Sequence, residues 1–309
     1  MSVSDLRRAA QRIDPLGPHQ PGRYADQVVA VIRESPPRGG DPGPAPIVRT
    51  EHFRLRRHGR LVEVGHWLRP GQLDNDLAGL LAEELFAPGW LSGPDVFERV
   101  FTGVVRSCVD GPLTAWTTFY ENTLARIRAC WQDPAVAHDH SSIAGFAPVY
   151  RRTLELVEAA GTVLDMGSCF GFLPLMLARR PGQTVIASDL SPGTMRLLGA
   201  VAEALGLRLG TLTCDASRVP LSDASVDTVT VIHLLEHLDP RHGDAVLEEA
   251  LRLARRRVVV AVPYEDEPTS AYGHVRCFDQ DQLERLGRGT GSPFTATSHH
   301  GGWLVLETS

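Results

Sequence analysis

The stretch from Thr162 to Asp189, TVLDMGSCFGFLPLMLARRPGQTVIASD, admits few folds. Its first five residues are apolar and β-branched enough for a short buried strand, with a carboxylate, Asp165, at its end. Gly167 and Gly171 follow, and an apolar run from Phe172 to Leu177 continues as a helix until Pro181-Gly182 stops it. A second strand, Thr184 to Ala187, runs into Asp189. Strand, glycine loop, helix, strand and acid is the layout of a nucleotide-binding βαβ unit. The glycines let backbone pass close to a ligand, and the helix start offers free N–H groups there. A carboxylate at the second strand tip suits the two hydroxyls of a ribose.

The alternation continues downstream. Ser191 is a good N-cap and Pro192 a good first residue for a helix that ends at Gly206. Strands are expected at Leu209 to Thr213, at Val226 to Ile232 and from Arg257 in RVVVAVP, with a helix from Gly243 to Ala254 between the last two. PFTATSHHGGWLVLETS reads as two strands around a His-Gly-Gly turn. The expected fold is therefore α/β, a Rossmann-like parallel sheet closed by an antiparallel C-terminal hairpin.

The first half is different. Residues 1–48 contain many Pro and Gly, so a flexible segment is expected, with a short helix at Tyr24 to Ile32. FRLRRHGRLVEVGHW predicts a hairpin turning near His58-Gly59. Helices are expected at Leu73 to Phe86, Pro94 to Cys108 and Leu113 to Trp131, giving a mainly helical accessory, acceptor-binding region over 49–135. A boundary is expected at Asp133-Pro134, before a helix in SSIAGFAPVYRRTLELVEAAG that is interrupted near Pro148 and leads into a 136–309 domain.

Composition excludes several chemistries. All 31 basic residues are arginine, so Schiff-base catalysis and a phosphate-loop lysine are absent. A net charge of −6 argues against nucleic acid as the partner. The five cysteines form no CxxC pair, and no zinc spacing emerges. With neither a signal peptide nor a membrane span in view, the expected location is the cytoplasm.

Two readings compete for the βαβ unit. A nicotinamide dehydrogenase wants GxGxxG after its first strand, but here Asp165-x-Gly167-x-x-x-Gly171 has Cys169 where a middle glycine would stand. Over about residues 140–309 the chain resembles the class I S-adenosylmethionine (SAM) methyltransferases. VLDMGSCFG matches their first motif except at Cys169, VIASDLSP the second, LTCDASRVPLSDASVDTV the third and HLLEHLDP the fourth. The resemblance implies SAM as cofactor. Asp165, Gly167, Ser168 and Gly171 would line its methionine end, and Asp189 would take the ribose hydroxyls with Leu190 against the adenine. Asp215 would meet the adenine amino group, Ala216 would offer a backbone N–H, and His233 would lie near the methyl. Cys169 is expected to be a small packing residue.

Methyl transfer is an in-line displacement whose main requirements are alignment and exclusion of water. A sugar hydroxyl, being a very weak acid, also wants a positioned base, and histidine suits that role near neutral pH. His233 and His237 flank Glu236 beyond the fourth strand, and His274 follows the acidic loop Glu265-Asp266-Glu267. These are the catalytic candidates, whereas His299 and His300 read as surface groups. Some relatives with a Glu-His pair in this motif hold a divalent cation for O-methylation, although no metal is expected here.

For the acceptor, Trp67, Trp90, Trp116, Phe119, Tyr120 and Trp131 suit either a cleft wall or an ordinary helical core. The stretch HDHSSIAGFAPVYRRTLELV with VLDMGSCFGFLPL is similar to an actinobacterial group that methylates oligosaccharides, which implies a glucose hydroxyl as acceptor. A small-molecule phenol or quinone O-methyltransferase would share every motif. A nicotinamide-dependent dehydrogenase and an inactive SAM-binding module also stay open.

Overall fold

The computed structural model describes residues 13–18, 20–36, 46–59, 61–133, 141–269 and 273–308. The chain divides into two units, Met1–Cys130 with Pro134–Ile143 and Trp131–Asp133 with Ala144–Ser309.

The first unit holds a five-stranded sheet. Its strands are β1 (Arg23–Ala25), β2 (Val29–Arg33), β3 (Val48–Arg49), β4 (Phe53–His58) and β5 (Leu61–His66), in the order β1-β2-β5-β4-β3. The β4–β5 hairpin is antiparallel with Phe53 opposite His66 and His58 opposite Leu61, as the pattern predicts. Tyr24 to Ile32 is not a helix. Asp26 Oδ1 accepts the N–H groups of Val28 at 2.8 Å and Val29 at 2.9 Å, which turns the chain, and the β-branched run behind it pairs back on Arg23–Ala25. The flexible segment expected over 1–48 thus contains two strands, while Pro37 to Ala45 lie outside the described residues.

Of the helix expected at Leu73 to Phe86, only α1 (Leu77–Leu81) and a π-helical turn at Ala82–Phe86 form. Asp74 Oδ1 accepts the Asp76 N–H at 2.9 Å, a local turn that competes with helix and delays its start. The helices α2 (Pro94–Cys108) and α3 (Pro112–Gln132) follow the sequence pattern. Trp116, Phe119 and Tyr120 are buried, with the Trp116 and Phe119 rings edge-on at 5.5 Å, so this aromatic stripe is core. Pro148 lies within α4 (Ser142–Leu156), and the boundary residue Pro134 falls outside the described residues.

The second unit carries the site. Its strands are β6 (Gly161–Met166), β7 (Gln183–Asp189), β8 (Gly210–Thr213), β9 (Val226–Ile232), β10 (Ala254–Val262), β11 (Phe294–Ser298) and β12 (Gly302–Glu307). They form one sheet in the order β11-β12-β10-β9-β6-β7-β8. The five strands from β10 to β8 in that order are parallel, and the β11–β12 hairpin closes the sheet antiparallel. Between strands lie α5 (Phe172–Ala178), α6 (Pro192–Ala204), α7 (Pro240–Leu253) and α8 (Gln280–Gly289). Helix α8 has no counterpart in the sequence reading, because QDQLERLGRG offers few apolar positions. It is held by an Asp279–Gln282 capping box and by buried Leu283.

Val229, Val231, Val258 and Val260 are fully buried, each contributing roughly 1.5–3 kcal/mol on burial. They fix β9 between β10 and β6, and the strand order reverses direction between β9 and β6. Ligands of open parallel sheets sit outside the carboxyl ends of the strands at that reversal. Among the described residues no helix is long and apolar enough to cross a membrane.

Candidate functional site

Parallel pairing brings the carboxyl ends of β6, β7, β8 and β9 to one edge of the sheet. At the tip of β6, Asp165 is 3% exposed and accepts a hydrogen bond from Thr230 Oγ1 at 2.6 Å. Ser168 is turned inward, its hydroxyl donating to the Asp165 carbonyl at 2.9 Å and its N–H to the Ser188 carbonyl at 2.9 Å. The loop beyond needs glycine twice. Gly167 has φ +72° and Gly171 φ +77°, and a Cβ at Gly171 would stand 2.4 Å from Leu198 Cδ2.

Cys169 adopts φ +49°, a conformation that few non-glycine residues take, which is why a glycine is expected at its position. It is exposed, so the packing role expected for it is not what the structure shows. Its N–H donates to Asp189 Oδ2 at 3.0 Å, while Asp189 Oδ1 accepts the Ser191 N–H at 2.9 Å. One carboxylate thereby ties the glycine loop to the start of α6, where Ser191 caps the helix as predicted. Each oxygen of Asp189 has spent one lone pair and keeps another for an outside donor.

Burial pushes the Asp165 carboxyl up to about 6, against which the hydrogen bond from Thr230 works. A raised acid holds its proton in the folded chain after the unfolded chain has released it, so stability falls as pH rises between about 4 and about 6. The cost amounts to about 3 kcal/mol above that window. Urea unfolding of the parent and of Asp165→Asn across this range should show their stability difference shifting by that amount. A difference that does not move with pH would mean that Asp165 titrates alike folded and unfolded.

Leu190, beside Asp189, is 67% exposed, an unusual setting for a large apolar side chain that a flat ring could cover. Beyond β8, Asp215 Oδ1 accepts from the Ser217 N–H at 2.8 Å, the Ser217 hydroxyl at 2.8 Å and His242 Nε2 at 3.0 Å. The Ser217 N–H and then His242 hold this carboxyl down at about 2. Ala216, next to it, is half-buried against the sheet core.

His233 follows β9 with φ +52°, and its N–H donates to the Ala261 carbonyl at 2.9 Å. The strained backbone aims the ring so that Nδ1 lies 3.2 Å from Glu236 Oε1, while Nε2 is buried with no hydrogen-bond partner among the described residues. Phe146 sets its ring against His233 at 5.3 Å. Glu236 is fully buried in a 3-10 turn, Leu235–His237. His237 and His274 meet each other, their rings 4.9 Å apart. His299 and His300 are exposed in the β11–β12 turn.

Four contributors escape a reading of the sequence. Thr230 reaches Asp165 only through the β6–β9 register, and His242 reaches Asp215 across 27 residues. Phe146 carries no motif. Glu265 Oε2 lies 2.7 Å from His274 Nδ1, and the acidic loop around it was the one available signal.

Residues 163–257 match the family model of a methyltransferase domain. A curated relative, demethylmenaquinone methyltransferase of Thermus thermophilus, is 33% identical over 137 residues, covering 43% of this chain. The match spans 61% of that relative's length. Among solved structures, a SAM-dependent methyltransferase from Aquifex aeolicus is 17% identical, covering 60% of this chain and 96% of its own, with a TM-score of 0.45. The magnesium protoporphyrin IX methyltransferase of Synechocystis PCC 6803, solved with bound S-adenosylhomocysteine, is 17% identical over 60% of this chain and 94% of its own, with a TM-score of 0.44.

Proposed function

We propose that this chain is a SAM-dependent O-methyltransferase acting on a glucose hydroxyl of an oligosaccharide. The observation that supports the reading is the setting of His233 just beyond β9, where Nδ1 lies 3.2 Å from the buried Glu236 and Nε2 has no hydrogen-bond partner among the described residues. The methyltransferase-domain match over 163–257 supports it.

The residues at the strand tips fit the cofactor. Asp189 has two lone pairs left that would take the ribose hydroxyls, Leu190 would offer an apolar surface to the adenine, and Asp215 with the backbone of Ala216 would meet its polar edge. Asp165, Gly167, Ser168 and Gly171 would line the methionine end. Bound there, SAM supplies an electrophilic methyl group on a sulfonium. The Glu236 carboxylate, 3.2 Å from Nδ1, would favour the ring proton on that nitrogen and leave the lone pair on Nε2. From Nε2 the ring would take the acceptor's proton while the acceptor oxygen bonds to the methyl carbon and the methyl–sulfur bond breaks, S-adenosylhomocysteine leaving, so a weakly acidic hydroxyl becomes a competent nucleophile.

The acceptor rests on the similarity of the segment around Ser141 to Val157 and the first motif to the mycofactocin oligosaccharide methyltransferases. Three residues of that segment, His138 to His140, lie outside the described residues. A second reading, a phenol or quinone acceptor, is favoured by the Thermus thermophilus relative. Incubation with methyl-labelled SAM and either glucan oligomers or phenols and hydroquinones separates the two by mass spectrometry. Label on a glucose unit is the expected result, and label confined to the aromatic set would overturn the oligosaccharide reading.

A further inference from the structure

We infer that Glu236, His237 and His274 form a binding site for one first-row divalent metal ion. The inference does not rest on the methyl-transfer reading. One ligand atom from each of the three residues lies within 4.8 Å of the other two.

The carboxyl of Glu236 supplies an independent reason. It is fully buried, and apart from the His233 ring near Oε1, neither oxygen has a hydrogen-bond partner among the described residues. A buried carboxylate without partners is costly, and a cation beside it removes that cost. The two histidines are already set for ligation. His237 Nδ1 lies 3.3 Å from the Gly273 carbonyl, which can only accept, and His274 Nδ1 lies 2.7 Å from Glu265 Oε2. Both contacts put the ring proton on Nδ1 and the lone pair on Nε2. A carboxylate behind a ligating imidazole is a recurrent second layer of metal sites.

Local backbone keeps the three together. The Val275 N–H donates to the Glu236 carbonyl at 2.8 Å, which ties the segment bearing His274 to the turn bearing Glu236 and His237. Two imidazoles and one carboxylate suit Co2+, Zn2+, Mn2+ or Fe2+ better than Mg2+ or Ca2+, which prefer oxygen throughout. Three protein ligands also leave coordination positions for an outside oxygen, such as a water or a hydroxyl.

Cobalt(II) is the probe, titrated into chelator-treated full-length protein without methyl donor or acceptor and followed by visible absorption. The expected result is one equivalent bound, with His237→Ala and His274→Ala each weakening binding at least tenfold. Glu265→Gln, which touches no ion, should weaken it by about 10- to 100-fold through His274. Thermal melts of the ion-free variants check that each folds, and Glu236→Gln, which keeps the side-chain volume, provides a second carboxylate test. Failure to bind one equivalent, or an affinity that none of these substitutions changes, overturns the site.

Discussion

Replacing His233 with alanine is expected to lower kcat by about 10²- to 10⁴-fold, the usual worth of a positioned general base. The loss should be largest for an aliphatic hydroxyl, whose proton is hardest to remove, and smaller for a phenol. Affinity for S-adenosylhomocysteine should move far less than kcat, because the ring acts on the acceptor's proton. Glu236→Gln should follow in the same direction with a smaller loss, since it disturbs the tautomer of His233 and leaves the ring in place. The parent's kcat retained in His233→Ala would remove the base from the mechanism. Activity absent from the parent with every acceptor would leave a SAM-binding module.

The second large effect is expected at Asp189. Its two oxygens each hold one loop or helix N–H, at 3.0 Å from Cys169 and at 2.9 Å from Ser191, and each keeps capacity for one ribose hydroxyl. A hydrogen bond to a charged group contributes roughly 1.5–3 kcal/mol, so losing the net equivalent of one such bond in Asp189→Ala should weaken S-adenosylhomocysteine binding by about 10- to 150-fold. The variant also releases the Cys169 N–H. With φ +49° and one tether gone, that residue is free to leave the left-handed region, which adds to the loss.

Much of this site is legible in the chain because it depends on local backbone chemistry. Asp165, Gly167, Gly171 and Asp189 mark a strand end, two left-handed turns and a second strand end, and each demands a particular residue type. Ser191 announces itself as a cap for the same reason. What depends on long-range register is not legible. Thr230 becomes the partner of Asp165 only when β9 lies beside β6, and nothing in VDTVTVI singles it out. The full burial of Glu236 and the meeting of His237 with His274 arise when the chain after β10 folds back on the turn after β9. The errors have local causes too. Tyr24 to Ile32 reads as a short helix, yet an aspartate turn and β-branching send it into a sheet. The polar helix α8 depends on its cap and one buried leucine, a signal too thin for periodicity to register.

Whether Asp189 holds the nucleoside is decided by calorimetric titration of S-adenosylhomocysteine into the parent and into Asp189→Ala, with NAD as the control ligand. One site on the parent, binding weakened by one to two orders of magnitude in the variant, and no heat from NAD are expected. Equal affinity in the two proteins, or binding of NAD in place of the nucleoside, would contradict that reading of the site.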